Sequence, residues 1–175
     1  LTAQRLESSE ARLHAFMDHS PSLMFVKDPQ GRYVYVNDAF TRSFGLEQSE
    51  VIAHSDAEIF APELAVQFAT NDAEALATRS GIAFEEVARY SDGQLHTSIV
   101  HKFPIFDLQG HVIALGGVAT DITERKRLED ALRQRNVQLR TAIRTEIELR
   151  QRQEHLKEIA NRDPLTGVAN RIFLH

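Results

Sequence analysis

The sequence predicts an α+β fold: a five-stranded antiparallel sheet with flanking short helices, one helix before it and one long helix after it. Three observations carry this. Two short β-rich runs, "LMFVKD" and "RYVYVN", are split by the turn signal Pro29-Gln30-Gly31. Three further strand patterns, "IAFEEVARY", "LHTSIVHKFPIF" and "HVIALGGVAT", are separated by the turn-like Ser91-Asp92-Gly93 and Asp107-Leu108-Gln109-Gly110. From Asp121 to about Arg162 the chain is almost free of Gly and Pro and rich in Glu, Arg, Gln and Leu, which is the composition of a single long helix.

The elements follow in order. Leu6, Leu13, Phe16 and Met17 recur at helical spacing up to His19, and Ser20-Pro21 stops that helix because the residue before a proline is pushed out of the helical region. Between the second strand and the third, "DAFTRSFG" reads as a short helix closed by Gly45, and "SEVIA" and "DAEIF" as further short pieces. "PELAVQFATNDAEALATRSG" is a longer helix, with Pro62 in its first turn and Gly81 beyond its last. Two strands, several helices and three strands in succession give one sheet with helices beside it.

Asp121 and Glu124 have capping-box spacing, so the long helix is expected to start directly off the last strand. Along it, Leu128, Leu132, Leu139, Ala142, Leu149, Leu156 and Ala160 fall on one stripe of heptad type. Arg135, Glu146 and Gln153 interrupt the stripe, and Ile143 and Ile147 offer a competing one beside it. Two readings stand: a helix packed along its own domain, or a parallel dimeric coiled coil whose weak seam takes two registers.

Composition excludes several functions. The 175 residues are 42% apolar and 26% charged, which suits a packed domain with extra elements. With 25 acidic against 20 basic residues the net charge is −5, a poor match to nucleic acid. There is no cysteine, hence no disulfide, thiolate metal site or cysteinyl–flavin adduct. No run of about 18 apolar residues is present, so no membrane contact is expected within the chain. It opens on Leu1 without a leader-like segment, which reads as a cytoplasmic piece of a parent whose anchoring upstream is left open.

The central region resembles a known family. "FVKDPQGRYVYVNDAFTRSFG" is similar to the opening of PAS sensor domains, and "FEEVARYSDGQLHTSIVHKFPIFDLQGHVIALGGVATDITERKR" to their closing half. "GGVATDITERK" is the most specific piece. It puts Asp121, Ile122, Thr123 and Glu124 where PAS domains hand over to their output helix. The resemblance, over roughly residues 15 to 127, implies a sensory and dimerising PAS fold that cups a small cavity. The tail "RDPLTGVANR" resembles the start of GGDEF domains, the diguanylate cyclases, through Asp163, Leu165, Thr166, Gly167, Asn170 and Arg171. Val168 and Ile172 depart from the usual Leu and Arg. The Gly-Gly-Asp-Glu-Phe signature is missing, so no residue here takes a catalytic role. The implied domains are an N-terminal helix (1–20), a PAS sensor (21–123), a signalling helix (124–162) and a truncated cyclase start (163–175). The implied function is regulation of an attached diguanylate cyclase, making cyclic di-GMP from GTP, through a homodimer held by the signalling helix and the PAS domain.

Heme is disfavoured, because the helix beside the cavity lacks histidine and His54 lies in a short segment upstream. Non-covalent flavin stays open. His96 and His101 are five positions apart on one strand and face opposite ways, so no metal site is expected. Glu85 and Glu86 read as surface or ion-pairing carboxylates, with Arg89 or Lys102 as partners. What remains is a small polar or amphipathic molecule. Its apolar walls would be Phe40, Phe44, Phe60, Phe68 and Leu115, and its polar contacts Asn37, His54, Asn71, His96 or Ser98. Two other functions compete: a ligand-free dimerisation scaffold, and the sensor of a histidine kinase. Against the kinase, His155 is followed by Leu156 rather than an acid, and Pro164 is nine positions on.

Overall fold

The computed structural model describes residues 2–160. The cyclase-like motif from Asp163 to Arg171 lies outside the described residues. The elements run α1 (Thr2–Asp18), β1 (Leu23–Lys27), β2 (Tyr33–Val36), α2 (Asp38–Phe44), α3 (Gln48–Val51), α4 (Asp56–Ile59), α5 (Pro62–Ala77), β3 (Ile82–Arg89), β4 (Leu95–Phe106), β5 (Val112–Asp121) and α6 (Thr123–Ala160). The strands form one five-stranded antiparallel sheet, as expected from sequence, and its order is β2-β1-β5-β4-β3. The chain divides into two units, one up to Glu124 and one from Arg125 onward.

β1 lies inside the sheet and alternates strictly, with Leu23, Phe25 and Lys27 on the core face. The core gathers these apolar groups with Tyr33, Val36, Phe40, Val51, Val100 and Ala119 under the short helices. Gly117 of β5 stands opposite Phe25 of β1, and the Phe25 ring occupies the space a Cβ at 117 would need. That close approach is why the "GGVAT" run carries glycine in mid-strand.

Asn37 ties three segments together. Its Oδ1 accepts from the backbone N–H groups of Met24 (2.9 Å) and Phe40 (3.1 Å), capping α2. Its Nδ2 donates to the carbonyls of Met17 (2.8 Å) and Ser22 (2.9 Å). Gly45 ends α2 in the left-handed conformation, at φ 67°.

One residue separates β5 from α6, so the predicted direct junction is present. Buried Ile122 donates its backbone N–H to the Thr97 carbonyl at 2.8 Å. Thr97 N–H donates to Thr123 Oγ1 at 2.8 Å, and Asp121 Oδ1 accepts from Thr123 N–H at 2.8 Å. α6 spans 38 residues, about 57 Å at the helical rise, and all but its first two belong to the second unit. None of its described residues is buried; Leu128, Leu132, Leu139, Leu149 and Leu156 are all more than half exposed.

Candidate functional site

The helical layer and the inner face of the sheet enclose a cavity of about 40 Å³. A single water needs roughly 10–15 Å³ on the same measure, so a few waters or a very small ligand fit. One wall is aromatic: Phe25 from β1, Phe40 and Phe44 from α2, and Phe68 from α5. The polar lining comes from the sheet, with Glu86 and Tyr90 from the β3 side and Ser98 and Lys102 from β4.

Lys27 and Tyr33 line the cavity as well, and these polar groups belong to a buried network of charges that extends to Asp56, Asp72 and Asn71. Lys27 Nζ meets Asp56 Oδ2 at 2.5 Å and Asp72 Oδ2 at 2.6 Å. Lys102 Nζ meets Asp72 Oδ1 at 2.7 Å and Glu86 Oε1 at 2.8 Å. Tyr33 donates its hydroxyl to Asp56 Oδ1 at 2.7 Å, and Asn71 donates Nδ2 to Glu86 Oε1 at 2.8 Å. Both lysine side chains are only 1% exposed, which is tolerable only because each ammonium bridges two carboxylates. Their ammoniums also lie over rings, Lys27 at 4.7 Å from the Tyr33 centroid and Lys102 at 5.2 Å from Phe68. Burial, then the Asp56 charge and hydrogen bond, push the Tyr33 hydroxyl well above its ordinary range, so it stays a donor.

The residues singled out from sequence separate into three places. Phe40, Phe44, Phe68 and Ser98 line the cavity, and Phe60 packs on Phe44 and Phe68 with centroids 5.0 and 5.4 Å away. Asn37, Asn71, His54, His96 and Leu115 are not among its lining residues. Asn37 is committed to backbone groups, and Asn71 supports Glu86 from behind. The His54 ring lies 3.1 Å from the Ile52 carbonyl, and buried Leu115 borders an outer groove alongside Lys27, Asp56 and Asp72. Glu86 does pair with Lys102, one of the two partners expected from sequence. Lys27, Asp56, Asp72 and Tyr33 escaped the sequence reading. Among the described residues, no group of three or more histidines and carboxylates is arranged to hold a metal.

His96 sits beside the strand–helix junction. Its ring stacks on Tyr90, centroids 4.2 Å apart and planes 7° from parallel. Its Nδ1 lies 2.6 Å from Asp121 Oδ2 and its Nε2 2.9 Å from Asp92 Oδ2. Burial alone lowers the imidazole, but the hydrogen bonds and charges of Asp92 and Asp121 outweigh it, and His96 titrates above its ordinary value. Tyr90 completes a bridge to the cavity, since its hydroxyl lies 3.1 Å from Ser98 Oγ.

An antiparallel sheet closed by short helices over a small internal cavity, with a helix leaving directly from its last strand, defines a sensor domain. The chain belongs to the PAS family: the model of the PAS fold matches residues 17–127. It is similar to signal-transduction proteins of several kinds. The methanogenesis regulatory histidine kinase FilI of Methanothrix harundinacea (strain 6Ac) is 33% identical over 123 residues, covering 70% of this chain and 14% of that protein. The aerobic respiration control sensor protein ArcB of Escherichia coli (strain K12) is 28% identical over 139 residues, 79% of this chain and 18% of ArcB. A diguanylate cyclase of Vibrio cholerae serotype O1 is 29% identical over 150 residues, 85% of this chain and 39% of the cyclase. The chain thus spans well under half the length of these relatives. Among solved structures, the PAS domain of Bordetella pertussis BvgS has the same fold, with a TM-score of 0.59 and 23% identity over 73% of this chain and 96% of that one. No described helix is long and apolar enough to cross a membrane.

Proposed function

We propose that this PAS domain senses a small molecule in its cavity and regulates an attached diguanylate cyclase, in a homodimer joined through α6. The observation that carries the proposal is the junction. Asp121 accepts from Thr123, and Ile122 and Thr123 both bond Thr97 of β4, so the sheet and the start of α6 have no slack between them. The exposed leucine stripe supports a second copy as the partner of α6, and a dimer suits a reaction that joins two GTP molecules held by separate protomers. The similarity to the Vibrio cholerae cyclase and the motif from Asp163 to Arg171 support a cyclase as the output.

The 33% identity to FilI favours a second reading, the sensor of a histidine kinase. Incubating the full-length protein with GTP and with ATP separates them. Cyclic di-GMP formation supports the cyclase; autophosphorylation from ATP with no cyclic di-GMP overturns it. A ligand shifts output only as far as it binds the two signalling states unequally, so the PAS ligand must change the rate rather than merely bind.

A further inference from the structure

The polar wall of the cavity has one acceptor left over, and that remainder defines the chemistry of its ligand. The network holds two ammoniums, Lys27 and Lys102, against three carboxylates, Asp56, Asp72 and Glu86, a surplus of one negative charge in a buried site. Among the described residues, both oxygens of Asp56 and of Asp72 have partners. Glu86 differs. Its contacts with Asn71 and Lys102 both fall on Oε1, and Oε2 has no donor from a described residue. Glu86 is 6% exposed and lines the cavity. Lys27 and Lys102 line the cavity too, but their ammoniums are engaged by the network. Lys102 Nζ faces Asp72, Glu86 and the Phe68 carbonyl, and Lys27 Nζ bridges two carboxylates beneath the Tyr33 ring.

We infer that the cavity takes a small organic cation, an amine of roughly three to six non-hydrogen atoms, whose N–H groups bond Glu86 Oε2 and whose apolar body lies against Phe40, Phe44 and Phe68. This rests on the cavity-sensing part of the proposed function and gives the ligand a class. A buried carboxylate with an open oxygen selects a charged donor, because a charge-assisted hydrogen bond there compensates the surplus. The same surplus repels an anion. The aromatic wall favours a cation over a neutral molecule of the same shape.

The test uses the 175-residue chain and three probes of one shape: isobutylamine, isobutanol and isobutyrate, titrated while the amide NMR shifts of Glu86, Ser98 and Tyr90 are followed. The expected result is saturable shifts at these amides with isobutylamine about tenfold or more tighter than isobutanol, and no saturation with isobutyrate. Glu86→Gln keeps an amide for Asn71 and Lys102 and removes the surplus charge; it is expected to erase the preference for the amine. Should that variant fail to fold, Glu86→Asp draws the carboxylate back from the cavity with its charge kept, and a weakened amine affinity is expected. Tighter binding of isobutyrate, or an amine preference that survives Glu86→Gln, overturns the cation assignment while leaving a cavity that binds small molecules. No saturable shift with any probe overturns the assignment too. Native mass spectrometry of the freshly purified chain then tests sensing on its own: a stoichiometric added mass keeps it and a bare chain does not.

Discussion

Replacing Lys102 by Met tests the buried network most directly. Methionine keeps an unbranched stem of similar length and removes the ammonium. In the native protein that ammonium is 1% exposed and holds Asp72 at 2.7 Å and Glu86 at 2.8 Å. Without it, Lys27 alone faces three buried carboxylates, and the surplus grows from one negative charge to two. Removing one partner of a buried ion pair costs about 3–5 kcal/mol. For a chain of this size each kcal/mol shifts the midpoint by roughly 2–4 °C, so Tm should fall by about 6–20 °C. Tyrosine fluorescence during thermal and urea unfolding is the suitable probe, because all three tyrosines, Tyr33, Tyr35 and Tyr90, belong to the sheet unit and α6 has none. Adding Glu86→Gln to Lys102→Met relieves one stranded carboxylate, and the pair should fall short of the additive loss by about 0.5–3 kcal/mol. A loss below about 1 kcal/mol, or strict additivity, would refute the reasoning that these charges sit in a dry, coupled network.

Three further outcomes are expected. His96 titrates above its ordinary value beside Asp92 and Asp121, both held below theirs, Asp92 chiefly by the Gln94 N–H and Asp121 by hydrogen bonds that outweigh its burial. A raised histidine contributes stability that is whole below its unfolded value near 6.5 and lost as pH rises through the folded one. Stability measured from pH 5.5 to 8.5 should therefore decline by about 1 kcal/mol or less, for a side chain 20% exposed, and His96→Gln should flatten the decline. Asn37→Leu removes the α2 cap and strands the Met24 N–H with the Met17 and Ser22 carbonyls; urea unfolding should show a loss of about 2–4 kcal/mol. Leu139→Glu puts a charge into the proposed seam, and sedimentation should show dimer converting to monomer while tyrosine fluorescence stays native.

The strands were legible because alternation and turn residues repeat locally: β4 was read from sequence over the same twelve residues the structure assigns. The aromatic wall was legible for a similar reason, since Phe40 and Phe44 share one helix face. The charged wall was not. A lone Lys at the end of "LMFVKD" reads as a solvated residue, because lysine is rarely buried. Strand parity did carry the signal: Lys27 is in phase with Leu23 and Phe25, and Lys102 with Ser98 and Val100. Likewise Asp72 lies one turn after Phe68 on the inner face of α5. Asp56 had no such cue, since it comes from a four-residue helix whose placement depends on the whole fold. Choosing polar ligand contacts by residue type favoured amides and imidazoles, and these are engaged elsewhere: Asn37 and His54 by the backbone, His96 by the junction and Asn71 by Glu86.

One strand serves both the cavity and the start of α6. Ser98 and Lys102 of β4 face the cavity, and the residues just before them hold the junction. Thr97 bonds Ile122 and Thr123 through its backbone, and His96 holds the Asp121 oxygen that Thr123 leaves free. Successive residues of a strand point to opposite faces but share one rigid backbone. Under the proposed function, a ligand that draws Ser98 toward it, or Glu86 paired opposite Ser98 on β3, pulls on the β4 backbone that anchors α6, with no hinge between them. Tyr90 adds a second connection, bonded to Ser98 on one side and stacked on His96 on the other. Coupling of this kind requires two arrangements of the junction rather than a continuous bend. The His96 imidazole between Asp92 and Asp121 supplies a contact able to be made or broken as a unit, because losing its proton weakens both ion pairs at once.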